Sequence, residues 1–201
     1  MDKVPSHLGQ RGAAELPRYA AEADVSANHW HAWVEDAATL AFLAEGIVRD
    51  AFTDDSDGSD MELHCAENFG PDIQLREIED PSLVTLVGEF GGEPIAFAQV
   101  RLISAVECVS ARHPSELFRL YVLSRWHGRG IAQEMMRRAL ATAKAAGSDR
   151  IWLAVWELNG RALSFYRKLG FEVVGDHPYR FGSDMDRDLV MELDIDVPSA
   201  A

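Results

Sequence analysis

Leu120-Tyr121-Val122-Leu123 runs into Arg125-Trp126-His127-Gly128-Arg129-Gly130-Ile131-Ala132, and this junction decides how the 201-residue chain is read. An apolar, strand-like run ends, two glycines follow one residue apart, and an amphipathic helix begins. The helix carries Ile131, Met135, Ala139, Leu140 and Ala143 on one face before Gly147 stops it. A strand that turns through glycines into a helix N-terminus presents several backbone N–H groups in a row. Gly128 and Gly130 let the chain approach an anion closely, the helix start adds partial positive charge, and Arg125 and Arg129 add more. The segment from His127 to Ala132 therefore reads as a cradle for a phosphate group, although the same letters also fit an ordinary glycine turn.

Working outward, Ile151 to Trp156 is apolar at every position, which predicts a strand covered on both faces. Strand, helix and buried strand make a β-α-β unit, so two strands are parallel. Asn159 is placed to cap a further helix, in which Ala162, Phe165, Tyr166 and Leu169 repeat at i, i+3, i+4 and i+7 and Gly170 closes the pattern. Phe171 to Val174 and Asp188 to Ile195 read as the last strands, with Leu189, Met191 and Leu193 alternating as an inner face. Upstream, Val84–Val87 and Pro94–Val100 flank Gly91-Gly92 and read as an antiparallel hairpin. His29 to Val34 reads as a first strand. Asp36 caps a helix bearing Leu40, Leu43, Ile47 and Ala51, and a weaker helix covers Met61 to Asn68. The fold class is α/β, with a mixed sheet. Residues 29–195 are expected to form a single domain, preceded by an arm over 1–28 that contains Pro5 and Pro17 and followed by a tail over 196–201.

Arg125, Gly128 and Gly130 occupy the fixed positions of Arg/Gln-x-x-Gly-x-Gly/Ala, and this segment resembles the cofactor signature of the GCN5-related N-acetyltransferase (GNAT) superfamily. A second block agrees in order and spacing. Val155-Trp156-Glu157-Leu158-Asn159-Gly160-Arg161-Ala162 and then Phe165-Tyr166-Arg167-Lys168-Leu169-Gly170-Phe171 are similar to that family's strand, asparagine and F-Y-x-x-x-G-F helix. The likeness covers Glu116 to Leu193, while the first half matches in element pattern alone. Within the superfamily the tail Tyr179 to Met191 looks most like the bacterial polyamine and small-amine acetyltransferases.

The resemblance implies an acyl-CoA N-acyltransferase fold: a mixed, mostly antiparallel sheet with one splayed parallel strand pair and flanking helices. It implies acetyl-CoA as co-substrate, with its pyrophosphate on the amides from His127 to Ala132, near Arg125 and Arg129. The pantetheine arm would lie in the splay, bonded by the backbone of Tyr121, Val122 and Leu123, with Asn159 and Ala162 on the far side. The tyrosine of the second motif, Tyr166, would face the thioester sulfur as a general acid. Asn159 fits a plain helix cap equally well, and Tyr166 fits an amphipathic core residue.

Composition bounds the rest. A 47% hydrophobic and 26% charged chain of this length can bury one full core. Its formal charge of −14 opposes nucleic acid and favours cationic small molecules, while serving solubility just as well. No apolar run approaches the roughly 20 residues of a membrane span. Cys65 and Cys108 lack C-x-x-C spacing, which fits the reducing cytoplasm, and His29, His31 and His64 do not extend to a metal-ligand set. The expected activity is transfer of an acetyl group to the primary amine of a small molecule, polyamine-like in the first instance, in a ternary complex. An alkylammonium must lose a proton before attack, and Glu116 and Glu157 are the carboxylates nearest the motifs, either of which also reads as a surface residue. A backbone N–H near Val122 or Leu123 would hold the oxyanion. Asp184, Asp186 and Asp188 could attract a cation. A protein N-terminus or lysine as acceptor and a non-catalytic acyl-CoA-binding module are the alternatives, and a homodimer through the last strands is compatible with the pattern.

Overall fold

Helical and strand periods alternate along the chain, and each becomes an element that buries its apolar stripe. The computed structural model describes residue 32 and residues 34–52, 58–181 and 184–195. α1, Ala37–Phe52, buries Leu40, Leu43, Ala44, Ile47 and Val48 along the stripe that the spacing predicts. α2, Gly58–Asn68, starts three residues before the expected Met61. α3, Pro71–Glu79, was not signalled by apolar period. Pro71 sits in its first turn, where a missing N–H costs nothing, and its inward positions include Gln74 and Glu77, which face a polar network. The first strand expected over His29 to Val34 falls mostly outside the described residues. What is described there is a 3-10 turn, Val34–Asp36, and an Ala32 amide that donates to the Thr85 carbonyl at 3.0 Å. The arm over 1–28 and the tail over 196–201 also lie outside the described residues.

β1, Leu83–Phe90, and β2, Glu93–Arg101, form the hairpin across Gly91 and Gly92, both with positive φ as a tight hairpin turn requires. β3 is Pro114–Val122 and α4 is Ile131–Ala145. β4 is Arg150–Trp156, α5 is Gly160–Lys168, β5 is Glu172–Phe181 and β6 is Asp184–Asp194. The last two strands outrun the expected Phe171–Val174 and Asp188–Ile195, β5 at its C-terminal end and β6 at its N-terminal end. The six strands lie in the order β1-β2-β3-β4-β6-β5, with β3 and β4 parallel and every other neighbouring pair antiparallel. This is the mixed α/β sheet that the sequence implies.

On one face, Ile131, Met135, Met136, Ala139 and Ala143 of α4 and Leu163 of α5 pack on Ala96, Ala98, Leu117, Leu153 and Met191. The opposite face is covered in two parts. α1 and α2 lie over Val87 and Phe97, and the connection between β2 and β3 lays Val106, Cys108, Val109 and Ala111 over Trp152, Ala154 and Val190. β4 is thereby covered on both sides.

That connection is fitted to the sheet at Gly175, where a β-bulge interrupts β5. A Cβ on Gly175 would lie 2.7 Å from Cys108 Cβ and 2.8 Å from its Sγ. Gly175→Ala is expected to lower stability by about 1–3 kcal/mol, the usual cost of overpacking. Urea denaturation checks this, and Cys108→Gly in the same chain should recover most of the loss relative to Cys108→Gly alone.

Candidate active site

β3 and β4 are paired over three positions: Pro114 with Arg150, Ser115 with Ile151 and Glu116 with Trp152. Beyond them the strands part. The cause lies on the other side of β3, where the register against β2 shifts from Val100↔Leu117 to Gln99↔Arg119 and leaves Phe118 with no counterpart. Such an extra residue bends the strand that carries it. The Phe118 ring is held between two guanidinium groups, Arg101 at 3.9 Å and Arg119 at 4.4 Å, and both arginines are fixed by carboxylates.

The parting exposes specific backbone groups. The Leu123 amide donates to Ile95 O at 3.0 Å, toward β2. Backbone direction alternates along a strand, so Tyr121 also turns its N–H and C=O toward β2, whereas Val122 and Leu120 turn theirs into the gap. The Val122 carbonyl does so visibly, accepting from His127 Nε2 at 2.9 Å. This corrects the expectation that the backbones of Tyr121, Val122 and Leu123 all line the gap: Val122 does, with Leu120 in place of the other two.

At the open end of the gap, Gly128 and Gly130 have φ of 73° and 80°. A Cβ on either would meet no atom within 4 Å, so backbone conformation and not space makes them glycine. Gly130 is the N-cap of α4, and the first amide bond of the helix outside its own interior pattern is Glu134 N–H to Gly130 O, at 3.1 Å. The amides of Ile131 and Ala132 are therefore among the helix's unpaired N-terminal donors, with Gly128 and Arg129 leading in. The His127 amide is not available, because it donates to Ser124 O at 3.0 Å. The His127 ring instead bridges the gap: Nε2–H donates to Val122 O, and Nδ1 accepts from Arg161 Nη1 at 2.6 Å on α5. A carbonyl can only accept and a guanidinium can only donate, which defines the Nε2–H tautomer. Arg125 and Arg129 are exposed, with Arg129 over the Trp126 ring at 5.1 Å.

On the far side of the gap Asn159 caps α5, its Oδ1 accepting from the Ala162 amide at 3.0 Å. Its side-chain NH₂ remains for another partner. Tyr166 is stacked edge-on between Phe165 and Phe171, with centroids at 5.4 and 5.6 Å. Burial pushes its phenol above the ordinary tyrosine value, and the Tyr121 phenol adds to the effect. Tyr121 belongs to the opposite face of the sheet, against Phe97.

Neither glutamate near the motifs is placed as a free base. Glu116 sits at the closed end of the gap and accepts from Arg101 Nη1 at 2.9 Å and Ser104 Oγ at 3.0 Å. Glu157 faces Arg187 at 3.2 Å in a largely exposed pair. Both therefore anchor structure. Among the described residues no group of three or more His, Cys, Asp or Glu is arranged to hold a metal, and no helix is long and apolar enough to cross a membrane.

The sequence profile of the Acetyltransferase (GNAT) family matches residues 47–171, more than half of the chain. The chain belongs to that family. An uncharacterized N-acetyltransferase of Mycobacterium tuberculosis is 43% identical over 76 residues, 38% of this chain and 49% of that protein. The chain thus spans about half the length of the mycobacterial relatives it matches. The spermine/spermidine N(1)-acetyltransferase of Bacillus subtilis is 24% identical over 133 residues, 63% of this chain and 88% of that protein. Among solved structures, the PaiA N-acetyltransferase of Thermoplasma acidophilum in complex with coenzyme A superposes with a TM-score of 0.66 at 21% identity, covering 82% of this chain and 96% of that one. That likeness shows a shared GNAT fold.

Two features of this GNAT site are not legible as motifs. The first is a buried polar network. Glu77 Oε2 accepts from Arg119 Nη1 at 2.6 Å and from Gln99 and Gln74 Nε2 at 3.0 Å each, and Arg119 also donates to Gln99 Oε1 at 2.7 Å. It locks α3 to β2 and β3 beside the gap. Desolvation, helped by Arg119, holds the neighbouring His64 imidazole below its usual value. The second is Asp188, nine-tenths buried on β6. The alternation in β6 points to Leu189, Met191 and Leu193 as the inner face, which hides that the other face is also covered.

The Tyr166 phenol gives a pH prediction. Its folded value lies above its unfolded one, so the folded chain keeps a proton that the unfolded chain sheds above about pH 10. The associated stability is complete below that pH and is lost as pH rises. Ultraviolet difference titration of the protein against Tyr166→Phe should show a phenol ionising well above pH 10, with the variant less alkali-sensitive; a difference phenol titrating at 10 or below contradicts the burial.

Proposed function

We propose that the protein is an acetyl-CoA-dependent N-acetyltransferase, with residues 29–195 as one catalytic domain, acting on the primary amine of a small molecule, polyamine-like in the first instance. The observation that carries the reading is the gap between β3 and β4, with free amides at its mouth and the Tyr166 phenol at its side. The residues fit coenzyme A. A diphosphate suits the amides from Gly128 to Ala132 and the exposed Arg125 and Arg129, because a helix N-terminus and charge-assisted donors both favour an anion. The N–H and C=O of Val122 and Leu120 suit the amide groups of the pantetheine arm, as an added strand would use them. The free NH₂ of Asn159 suits the arm's other edge.

The chemistry needs an amine nitrogen to attack the thioester carbonyl, a C–N bond to form and a C–S bond to break. A gap-facing backbone N–H, from Val122 or Leu120, stabilises negative charge on the carbonyl oxygen. Tyr166, protonated at neutral pH with margin to spare, donates to the departing sulfur. The nitrogen sheds two protons on its way from ammonium to amide: one replaces the phenol's and one leaves to solvent. The net charge of −14 draws cationic amines toward the protein and weighs against nucleic acid as a partner. The two free cysteines fit the cytoplasm.

Thiol release from acetyl-CoA with a panel of alkylamines tests the reading. Transfer to small amines is expected, together with a fall of about 10²- to 10⁴-fold in kcat for Tyr166→Phe and no change in coenzyme A affinity by calorimetry. Tight coenzyme A binding with no turnover on any amine or peptide would instead mark a non-catalytic binding module, and turnover on peptides alone would mark a protein acetyltransferase. Unchanged kcat in Tyr166→Phe removes the phenol from the reaction.

A further inference from the structure

Asp188 is paired with Trp156 across β4 and β6, and with His177 across β5 and β6. Residues directly opposite in antiparallel strands share a face, so indole, carboxylate and imidazole form one rung. The face is that of Ala154 and Val190, two residues away along each strand, on which the β2–β3 connection lies. It is also the face of Tyr121, across the gap. The rung stands at the end of β4 where β3 has already parted from it, one strand beyond the gap.

Asp188 as a residue is 9% exposed, yet no hydrogen bond or ion pair among the described residues reaches its carboxylate. Its oxygens are not among the fully sealed polar atoms that lack a partner, so they keep an opening to solvent. Burial raises its pKa, Asp186 raises it further, and His177 alone opposes. A buried carboxylate without a partner costs stability in the free protein, and a bound cation is what would offset that cost. The ligand that answers this site is a cation, for which the carboxylate supplies the charge; Trp156, half-buried and already engaged in an interaction of its own, only borders it in the rung.

We infer that Asp188 forms a subsite for a second ammonium group of the acceptor, so that the preferred acceptor is a diamine whose far nitrogen is held here while its near nitrogen meets the thioester in the gap. The inference rests on the proposed acetyltransferase reading and narrows its substrate. The subsite lies one to two strand spacings from the gap, roughly 5–10 Å, which a short alkyl spacer bridges. Asp188 is here a specificity-determining residue that binds an ammonium ion and takes no part in bond making.

Initial rates at saturating acetyl-CoA with 1,3-diaminopropane, 1,4-diaminobutane and 1,5-diaminopentane, each against the monoamine of equal length, test it in the full chain and in Asp188→Asn. The expected result is a KM at least about tenfold lower for the best diamine than for its monoamine, the size of one charge-assisted contact. In Asp188→Asn that advantage disappears through a rise in diamine KM, with kcat, monoamine KM and coenzyme A affinity unchanged. No diamine preference in the native chain, or an equal loss on monoamines and diamines, overturns the inference. Thermal melting at pH 7 separates a structural role: a ligand-binding carboxylate leaves Asp188→Asn at least as stable as the native chain, and a lower melting temperature overturns the subsite. Calorimetry with 1,4-diaminobutane reads the subsite without turnover. Binding weakened about tenfold by Asp188→Asn sustains it, and no binding, or binding the variant leaves unchanged, overturns it. Failure of the underlying reading looks different: no heat with coenzyme A and no thiol release with any amine.

Discussion

The site depends on one extra residue in one strand. Phe118 has no partner on β2, and β3 bends there away from β4. A bulge is held open only if its side chain has somewhere favourable to go, and here the ring lies between the guanidinium groups of Arg101 and Arg119. Each arginine is fixed in turn, Arg101 by Glu116 at the closed end of the gap and Arg119 by Glu77 of α3. Glu116, one of the two carboxylates that the sequence suggested for proton transfer, is therefore part of the clamp that makes the gap. Buried ion pairs add little net stability when well formed, but breaking one leaves an uncompensated charge. Such a clamp specifies geometry more than it adds to stability.

Three other elements meet the opening. The backbone of β3 gives Val122 and Leu120 groups with no strand to satisfy them. The head of α4 gives amides that no helix carbonyl can satisfy. α5 brings Asn159 and Tyr166 up from the face opposite Tyr121. The His127 ring joins the end of β3 to Arg161 across the mouth, occupying one lone pair of the Val122 carbonyl and leaving the other free. Unsatisfied backbone groups are uncommon in folded proteins, and a run of them in one cleft is a binding device for a ligand that is itself rich in amides and anionic oxygens.

Much of this was legible in the sequence because it is local. Glycines at 128 and 130, the helix after them, the Asn159 cap and the aromatic pair at 165 and 166 sit within a few residues of one another, so period and spacing report them. The hairpin around Gly91-Gly92 and the buried β4 were equally plain. What stayed hidden is long-range or polar. α3 is short and turns Gln74 and Glu77 inward, where a search for apolar stripes finds nothing. The bulge at Phe118 exists only as a mismatch between two strands, and with it the direction of every backbone group from Leu120 to Leu123. Glu116 and Glu157 look free in one dimension and are bound by Arg101 and Arg187 in three. Asp188 looks solvated by alternation and is only 9% exposed, on the face that also carries Ala154 and Val190.

Whether the cleft between β3 and β4 is open is read by amide hydrogen exchange at Val122 and Leu120, followed by nuclear magnetic resonance with and without coenzyme A. Both amides are expected to exchange far faster than those of Tyr121 and Leu123, which face β2, and to be protected selectively by coenzyme A. Equal protection of all four amides without ligand, or no change on adding coenzyme A, would mean that the strands are closed and the cleft does not exist.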